Sequence, residues 1–113
     1  LEQAIGDELS RENYTFFGAD TIIIVTNEKD NSNAIADCAC ALENIFLAAH
    51  SLGIGSVWIN QLKTICDVPA IRTILSDFGI PDNHFAGGIA ALGYTEGIAP
   101  MPRPRKGKVK FIL

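Results

Sequence analysis

The sequence predicts one compact domain in which helices and strands are combined. Apolar residues make up 48% of the 113 residues and charged residues 19%, a balance typical of globular proteins. A β-branched segment at residues 21–26 has the composition of a strand, and the apolar segment that ends near residue 52 has the length of a helix. A chain of this size can build one hydrophobic core but not two. We therefore expect residues 1–113 to form a single domain.

The amino-terminal part contains a predicted helix followed by a predicted strand. Leu1, Ile5 and Leu9 recur every four positions, which predicts a short amphipathic helix. Residues 21–26 read Thr-Ile-Ile-Ile-Val-Thr without polar alternation. Such a run favours a strand that is buried on both faces, and we expect it at the centre of a sheet.

The longest predicted helix follows the turn residues 27–31. Ser32 or Asn33 can cap it, and it continues to about residue 52, where Gly53 can adopt the left-handed conformation that ends helices. Apolar residues lie almost all round this helix, and its many alanines permit another backbone to approach closely. We therefore expect it to be buried on most sides, in part at an interface between subunits.

A short strand and an amphipathic surface helix follow. The strand is expected at residues 56–59. The helix is expected to begin at Pro69, which the first turn of a helix tolerates, and to end at Gly79. The acidic residues nearby, Asp67, Asp77 and Asp82, are expected to serve as capping or turn residues.

Two further strands are predicted near the carboxyl end. Residues 84–92 form an apolar run in which Gly87 and Gly88 permit either a β-bulge or the close approach of another group. Residues 108–113 alternate between polar and apolar side chains, which is typical of an edge strand.

The charge is unevenly distributed. Five of the nine basic residues and no acid follow Glu96, so the net charge of −4 divides into +5 for this tail and −9 for the rest. A basic tail suits a phosphorylated ligand or the acidic surface of a subunit. We expect no nucleic-acid partner, because no basic helix or aromatic platform accompanies the tail.

Several other protein classes are also disfavoured. No apolar run approaches the roughly 20 residues that span a bilayer, and residues 1–10 carry acids where a secretory signal carries basic residues. Cys38, Cys40 and Cys66 make no even disulfide framework, which favours the reducing cytoplasm. We therefore expect a cytoplasmic protein that does not insert into membranes.

The sequence offers few candidates for side-chain chemistry. His50 and His84 lack a second ligand at metal-binding spacing, and no nucleophile is paired with a base, so we predict no metal site and no catalytic side chain. The segment 53–56, Gly-Ile-Gly-Ser, runs from helix into strand, the reverse of a dinucleotide-binding fingerprint. Trp58 could stack on an aromatic ligand or act as a large packing residue.

Arg103 and Arg105 form a candidate phosphate site. Prolines stiffen this segment, and a spacing of two places both guanidinium groups on similar faces of an extended chain. Two such groups can hold one phosphate through charge-assisted hydrogen bonds. The alternative is a solvated basic tail.

Four segments occur in the order typical of one protein family. Residues 37–59 read DCACALENIFLAAHSLGIGSVWI, residues 78–81 read FGIP, residues 91–94 read ALGY and residues 102–106 read PRPRK. Over about residues 19–106 this ordered set resembles the nitroreductase-like flavoproteins, which bind FMN and use NAD(P)H. The resemblance implies an α+β fold with a mixed, mainly antiparallel sheet flanked by helices, and a homodimer with two FMN molecules at the subunit interface.

The resemblance also implies site residues and an activity. The backbone after Trp58 is expected beside the flavin ring, at Ile59, Asn60 and Gln61, and the FMN phosphate is expected at Arg103 and Arg105. The activity would be ping-pong hydride transfer from NAD(P)H through the flavin to nitroaromatics, quinones or similar acceptors. Because the flavin carries this chemistry, no catalytic side chain is required.

The amino terminus departs from the family pattern. Family members begin with a helical region bearing an Arg-Ser-x-Arg-like element and then a Pro-Ser-rich segment with Asn, and residues 1–20 contain neither. We therefore expect the chain to be the carboxy-terminal part of a nitroreductase-like domain, truncated at its amino terminus. The alternative hypothesis is a small non-catalytic domain that dimerises, binds no flavin and pairs its basic tail across subunits.

Overall fold

The computed structural model describes residues 1–97 and 100–113 and shows an α+β fold. Helices and strands are combined along the chain, as the sequence predicted. In chain order the elements are α1 (Glu2–Glu8), β1 (Thr21–Glu28), α2 (Ala34–Ser51), β2 (Gly55–Ile59), α3 (Leu62–Ile65), α4 (Pro69–Asp77) and β3 (His84–Gly93).

The three strands form one antiparallel sheet in the order β1-β3-β2. Thr21 lies opposite Leu92 in the β1–β3 pair, and Ile59 lies opposite Ile89 in the β2–β3 pair. The last strand in sequence is thus the central strand of the sheet. The predicted fold class, helices around a mainly antiparallel sheet, is confirmed.

The prediction that residues 21–26 form a central strand buried on both faces is wrong. In the sheet formed by the described residues, β1 lies at the edge and pairs with β3. Thr21 is exposed and Ile23 is 38% exposed, whereas Ile22 and Ile24 are half-buried against the core. β3 takes the central place because its small residues let helices approach from both sides, so side-chain size and not β-branching selected the central strand.

The helices cover the two faces of the sheet. α2 packs on one face, across all three strands. On the opposite face α3 packs on β3, and α1 packs on α3 and α4. The main core lies on this second face and is built from buried residues of α1, the loop after it, both carboxy-terminal helices and the sheet. These residues are Ile5, Phe16, Ile59, Leu62, Ile65, Cys66, Ile71, Leu75, Ala86, Ile89 and Ala91.

Two glycines of β3 bring α2 close to the sheet. The pairing register shifts between Val25 and Thr26, which leaves Gly87 unpaired as a β-bulge. A Cβ atom at Gly88 would come within 2.8 Å of Leu42 Cδ1 on α2. Both alternatives predicted for this glycine pair, a bulge and a close approach, are present.

The long helix ends as the sequence predicted. Gly53 has a φ of +71°, its N–H donates to the His50 carbonyl at 3.1 Å, and the Ile54 N–H donates to the Ala49 carbonyl at 2.9 Å. These two bonds define a Schellman motif. Gly79 has a φ of +86° and ends α4 in the same manner. At the other end of α2 Asn33 holds the cap position, but its side chain makes no capping hydrogen bond.

Three features differ from the sequence predictions. The single-turn helix α3 was not predicted, because four residues are too short to show helical periodicity. Residues 108–113, predicted as an edge strand, form no strand in this chain and are exposed. Asp67, predicted as a capping residue, instead accepts hydrogen bonds from Lys29 at 2.6 Å and Arg72 at 2.7 Å.

None of the helices in the described part of the chain is both long and apolar enough to cross a membrane.

Candidate functional site

A cleft of about 410 Å³ lies where the end of β2, the start of α3, the first half of α2 and the bulge of β3 meet. This volume falls within the range of small-molecule sites. Aliphatic and aromatic surface, one amide, one ammonium group and a bare stretch of backbone line the cleft. The lining residues are Ile35, Ala39, Trp58, Asn60, Lys63 and Gly87.

A larger depression of about 630 Å³ lies between α1 and the loop that follows it. Its lining is mostly polar and comes from residues 3–14 alone, and includes none of the predicted site residues. The smaller cleft combines an aromatic wall with a few convergent polar groups from several elements, which is the usual composition of a ligand site. We therefore take the smaller cleft as the candidate functional site.

Trp58 forms one wall of the cleft. It pairs with Ala90 in the sheet and stays 41% exposed. Gly88 leaves room for the indole, because a Cβ atom there would come 2.7 Å from Trp58 Nε1. The Phe46 ring on α2 supports the indole with ring centroids 6.0 Å apart. Trp58 therefore packs on the sheet and still presents surface to the cleft. Its stacking on an aromatic ligand stays a prediction.

The predicted residues 59–61 are only partly brought together at the cleft. Asn60 is exposed and lines it. Ile59 is 2% exposed and belongs to the core on the other face of the sheet, so its contribution to a ligand site is limited to its backbone. Gln61 is the N-cap residue of α3 and is half-buried, and its carbonyl accepts a hydrogen bond from Thr64 Oγ1 at 3.0 Å.

Lys63 is a cleft residue that the sequence did not reveal. Its backbone N–H donates to the Asn60 carbonyl at 3.2 Å, which places the two residues on the same turn. Lys63 lines the cleft and is half-buried. The only available signal was the spacing of three from Asn60, and it becomes meaningful only once α3 is known to be helical.

One carboxyl group and one thiol group, which lie on different sides of the sheet, have altered pKa values. Hydrogen bonds from Lys29 and then from Arg72 hold the pKa of the Asp67 carboxyl below its ordinary value. Burial, followed by the neighbouring Asp37 charge, raises the pKa of the Cys38 thiol. Cys38 therefore stays protonated at neutral pH and is a packing residue under the cleft, not a nucleophile.

One of the two histidines lies within hydrogen-bond distance of a neighbouring side chain, and the other is exposed to solvent. His84 Nδ1 lies 3.1 Å from Thr26 Oγ1, within hydrogen-bond distance, and His50 is exposed at the end of α2. Within residues 1–97 and 100–113, no three His, Cys, Asp or Glu side chains are arranged to hold a metal ion.

Arg103 and Arg105 lie apart from the cleft lining. Both are exposed in the irregular segment after Pro100. The structure therefore does not bring the predicted phosphate residues next to Asn60 within this chain.

Residues 3–94 match the model of the nitroreductase family. The chain belongs to this family. Two curated relatives are similar to it over 60 residues: a candidate NADH dehydrogenase/NAD(P)H nitroreductase from Archaeoglobus fulgidus at 43% identity, and one of the same name from Methanothermobacter thermautotrophicus at 40%. Each match covers 53% of this chain, and 33% and 30% of the respective relatives.

A solved nitroreductase with bound FMN from Bacteroides fragilis resembles the whole fold. It shares 38% sequence identity with this chain at a TM-score of 0.85, and the match covers 98% of this chain and 65% of that structure. The match to the curated relatives thus spans about a third of their length, and that to the solved structure about two thirds. The nitroreductase fold predicted from the ordered segments is therefore confirmed.

The residues at the cleft fit a flavin ring. An isoalloxazine is a flat aromatic system with polar atoms on its edges, and the cleft offers aromatic and aliphatic walls beside an amide and an ammonium group. The Gly87 backbone also lines the cleft.

Proposed function

We propose that this nitroreductase is an FMN-dependent oxidoreductase that uses NAD(P)H to reduce nitroaromatics, quinones or similar acceptors. Bound FMN would accept a hydride from NAD(P)H and then reduce the second substrate in a ping-pong reaction. The protein would supply position and electrostatics.

The cleft beside Asn60 is the observation that carries the proposal. It lies at the end of β2, where the family resemblance implies the flavin ring. The FMN-bound nitroreductase from B. fragilis matches 98% of the chain, so the same segment exists in a protein that holds FMN.

Each predicted site residue has a distinct proposed role. The backbone of Ile59 and Gln61 and the amide of Asn60 would contact the ring, where a backbone N–H can stabilise negative charge. Arg103 and Arg105 would hold the phosphate by charge-assisted hydrogen bonds. Because both arginines lie outside the cleft lining, the FMN phosphate would be held by the tail of the same chain after it folds back, or by the tail of a second subunit.

Exposed apolar side chains support a homodimer as part of the proposal. The outer surface of α2 and Trp58 on the adjoining strand β2 leave large apolar groups in water, and exposed apolar surface of this kind marks protein interfaces. The exposed groups are Ile35, Leu47, Leu52 and Trp58. A second copy that covers this surface would also close the cleft over a bound flavin.

A second candidate function is a dimerisation domain that binds no flavin. The exposed positions of Arg103 and Arg105 favour it, because they leave the tail free to pair with acidic residues of a partner subunit. This candidate predicts a stable and colourless dimer.

The deciding experiment is a visible absorption spectrum of the purified protein before and after incubation with excess FMN and desalting. Retained FMN close to one per chain, followed by NAD(P)H oxidation with an added quinone, is the expected result. A dimer that retains no FMN would overturn the proposal and favour the dimerisation domain. Mass analysis of any released ligand identifies FMN directly.

A further inference from the structure

We propose that Lys63 neutralises negative charge on bound FMN and is thus an additional cofactor-binding residue. This inference rests on the proposed function, since it assigns a role to Lys63 within the same cleft. The supporting observations are the position of Lys63 in the cleft, its half-buried state and the distribution of charge around it.

The charge of Lys63 is not matched within the chain. Four basic residues precede the tail, namely Arg11, Lys29, Lys63 and Arg72. Lys29 and Arg72 both bind Asp67, the nearest acid in sequence to α3. Lys63 forms no ion pair within residues 1–97 and 100–113, and the two remaining residues, Ile98 and Ala99, carry no acid.

The surroundings of Lys63 strengthen its attraction for an anion. The other cleft-lining side chains are aliphatic, aromatic or neutral amide groups. Lys63 is half-buried beside these groups, and a charge close to apolar surface is screened less by water than one in open solvent, so its Coulomb interaction with a nearby anion is stronger. An uncompensated charge in such a place favours a ligand that brings the opposite charge.

Two parts of FMN carry or acquire negative charge. The phosphate is anionic in every redox state. A hydride transferred from NAD(P)H brings one proton and two electrons to the neutral ring and leaves NAD(P)⁺, so the ring gains one negative charge. We favour the ring as the partner of Lys63, because the Lys63 N–H bonds to the carbonyl of Asn60, the residue assigned to the ring edge. A nearby cation then stabilises the reduced state and raises the midpoint potential.

The test compares the full-length protein with its Lys63→Met and Lys63→Arg variants. Dissociation constants are measured for oxidised FMN, reduced FMN and riboflavin, and the midpoint potential of bound FMN is measured by reductive titration against a dye. If the ring is the partner of Lys63, the Lys63→Met variant binds reduced FMN about tenfold more weakly and binds oxidised FMN nearly as well as the unsubstituted protein does. This change equals a fall of about 30 mV for a two-electron couple. Lys63→Arg restores the potential.

The same measurements identify the phosphate if it is the partner. In that case Lys63→Met weakens the binding of oxidised FMN about tenfold, while the affinity for riboflavin and the midpoint potential stay unchanged. Arg11→Gln removes one positive charge from the exposed loop after α1 and is the matched control, for which no constant should change. Lys63→Gln keeps a polar end and repeats the measurement in case the Met variant folds poorly.

Two outcomes would overturn the inference, and only one of them would also overturn the proposed function. If the unsubstituted protein binds no FMN, the proposed function fails together with the role of Lys63. If it binds FMN and the Lys63→Met and Lys63→Gln variants keep all three dissociation constants and the potential, only the role of Lys63 is lost.

Discussion

Gly87 has no room for a side chain, because the Cβ and Sγ atoms of Cys38 lie directly against the place where its own Cβ would be. Gly87 is the unpaired residue of the bulge in β3, and Cys38 is buried on α2. The contact sets the distance between α2 and the sheet, and Gly87 also lines the candidate cleft. Core packing and cleft shape therefore depend on the same pair of residues.

Replacing Gly87 with Ala should lower the free energy of unfolding by roughly 1–3 kcal/mol, the usual cost of overpacking a closely packed interior. The Cys38 contact cannot relax easily, because the neighbouring atoms include the Cβ fixed to the α2 backbone. Urea denaturation followed by circular dichroism measures the change. Gly107→Ala is the control, since a Cβ atom there would meet nothing within 4 Å. Equal stabilities of the two variants would contradict the predicted overlap.

Asp67 connects three parts of the fold on the side of the sheet that holds the main core. It binds Lys29 just after β1 and Arg72 on α4, and Arg72 also donates to the carbonyls of Pro81 at 3.3 Å and His84 at 2.9 Å. The Arg72 side chain is only 14% exposed, whereas that of Asp67 is 61% exposed. Solvent screening at Asp67 limits the contribution of these ion pairs to the free energy of unfolding.

Asp67→Asn should reduce stability by about 0.5–1 kcal/mol at neutral pH, the range for exposed ion pairs. The pKa of Asp67 is lowered in the folded state from its ordinary value of 3.8, so its stabilising effect is present above that value. The effect is lost as the pH falls through the lower pKa of the folded state. Urea denaturation of both proteins between pH 2 and pH 7 should show their difference shrinking below about pH 4.

Asp77→Asn is the control for this pH series, because it removes a carboxylate from the exposed last turn of α4. Its stability relative to the unsubstituted protein should vary less with pH. A difference for Asp67→Asn that stays constant down to pH 2 would show that the two cations do not bind the carboxylate in solution.

Local features of the fold were predictable because their causes lie within a few residues. Gly53 and Gly79 end α2 and α4 because the left-handed backbone conformation at these two positions favours glycine. The place of β1 at the edge was not predictable in this way. Its β-branched residues fit a buried strand equally well, and the choice of β3 as the centre depends on how closely α2 approaches from a distant part of the chain.

The residues of the candidate site also differ in whether the sequence alone could identify them. Asn60 and Trp58 were identified through the order of segments along the chain, which is a property of sequence. Lys63 was missed because its position at the cleft depends on the single turn of α3. Arg103 and Arg105 were identified by their spacing, but sequence spacing alone does not determine where an irregular tail lies relative to a cleft.

Replacing Arg105 with Ala should weaken FMN binding by the full-length protein about tenfold or more, because a hydrogen bond to a charged group contributes about 1.5–3 kcal/mol. Riboflavin, which lacks the phosphate, should bind with unchanged affinity. Quenching of flavin fluorescence measures both constants. Lys110→Ala removes the same charge farther along the tail and should have a small effect. Unchanged FMN affinity in Arg105→Ala would refute the phosphate assignment.

Leu47→Glu should dissociate the proposed homodimer. Leu47 is 60% exposed on α2, so the substitution costs the single chain little, within about 0.5 kcal/mol for a surface position. In a dimer that covers α2, the same change would bury a carboxylate against apolar side chains and raise the dissociation constant at least tenfold. Analytical ultracentrifugation over a range of protein concentrations measures this constant.

The matched control for the dimer prediction is Thr73→Glu, which adds the same charge to an exposed position of α4 on the opposite side of the sheet. It should leave the dimer intact. If Leu47→Glu also leaves it intact, the subunits do not meet through this part of α2. If both variants and the unsubstituted protein are monomers, the exposed apolar surface has another partner, and a cleft closed by a second subunit is no longer tenable.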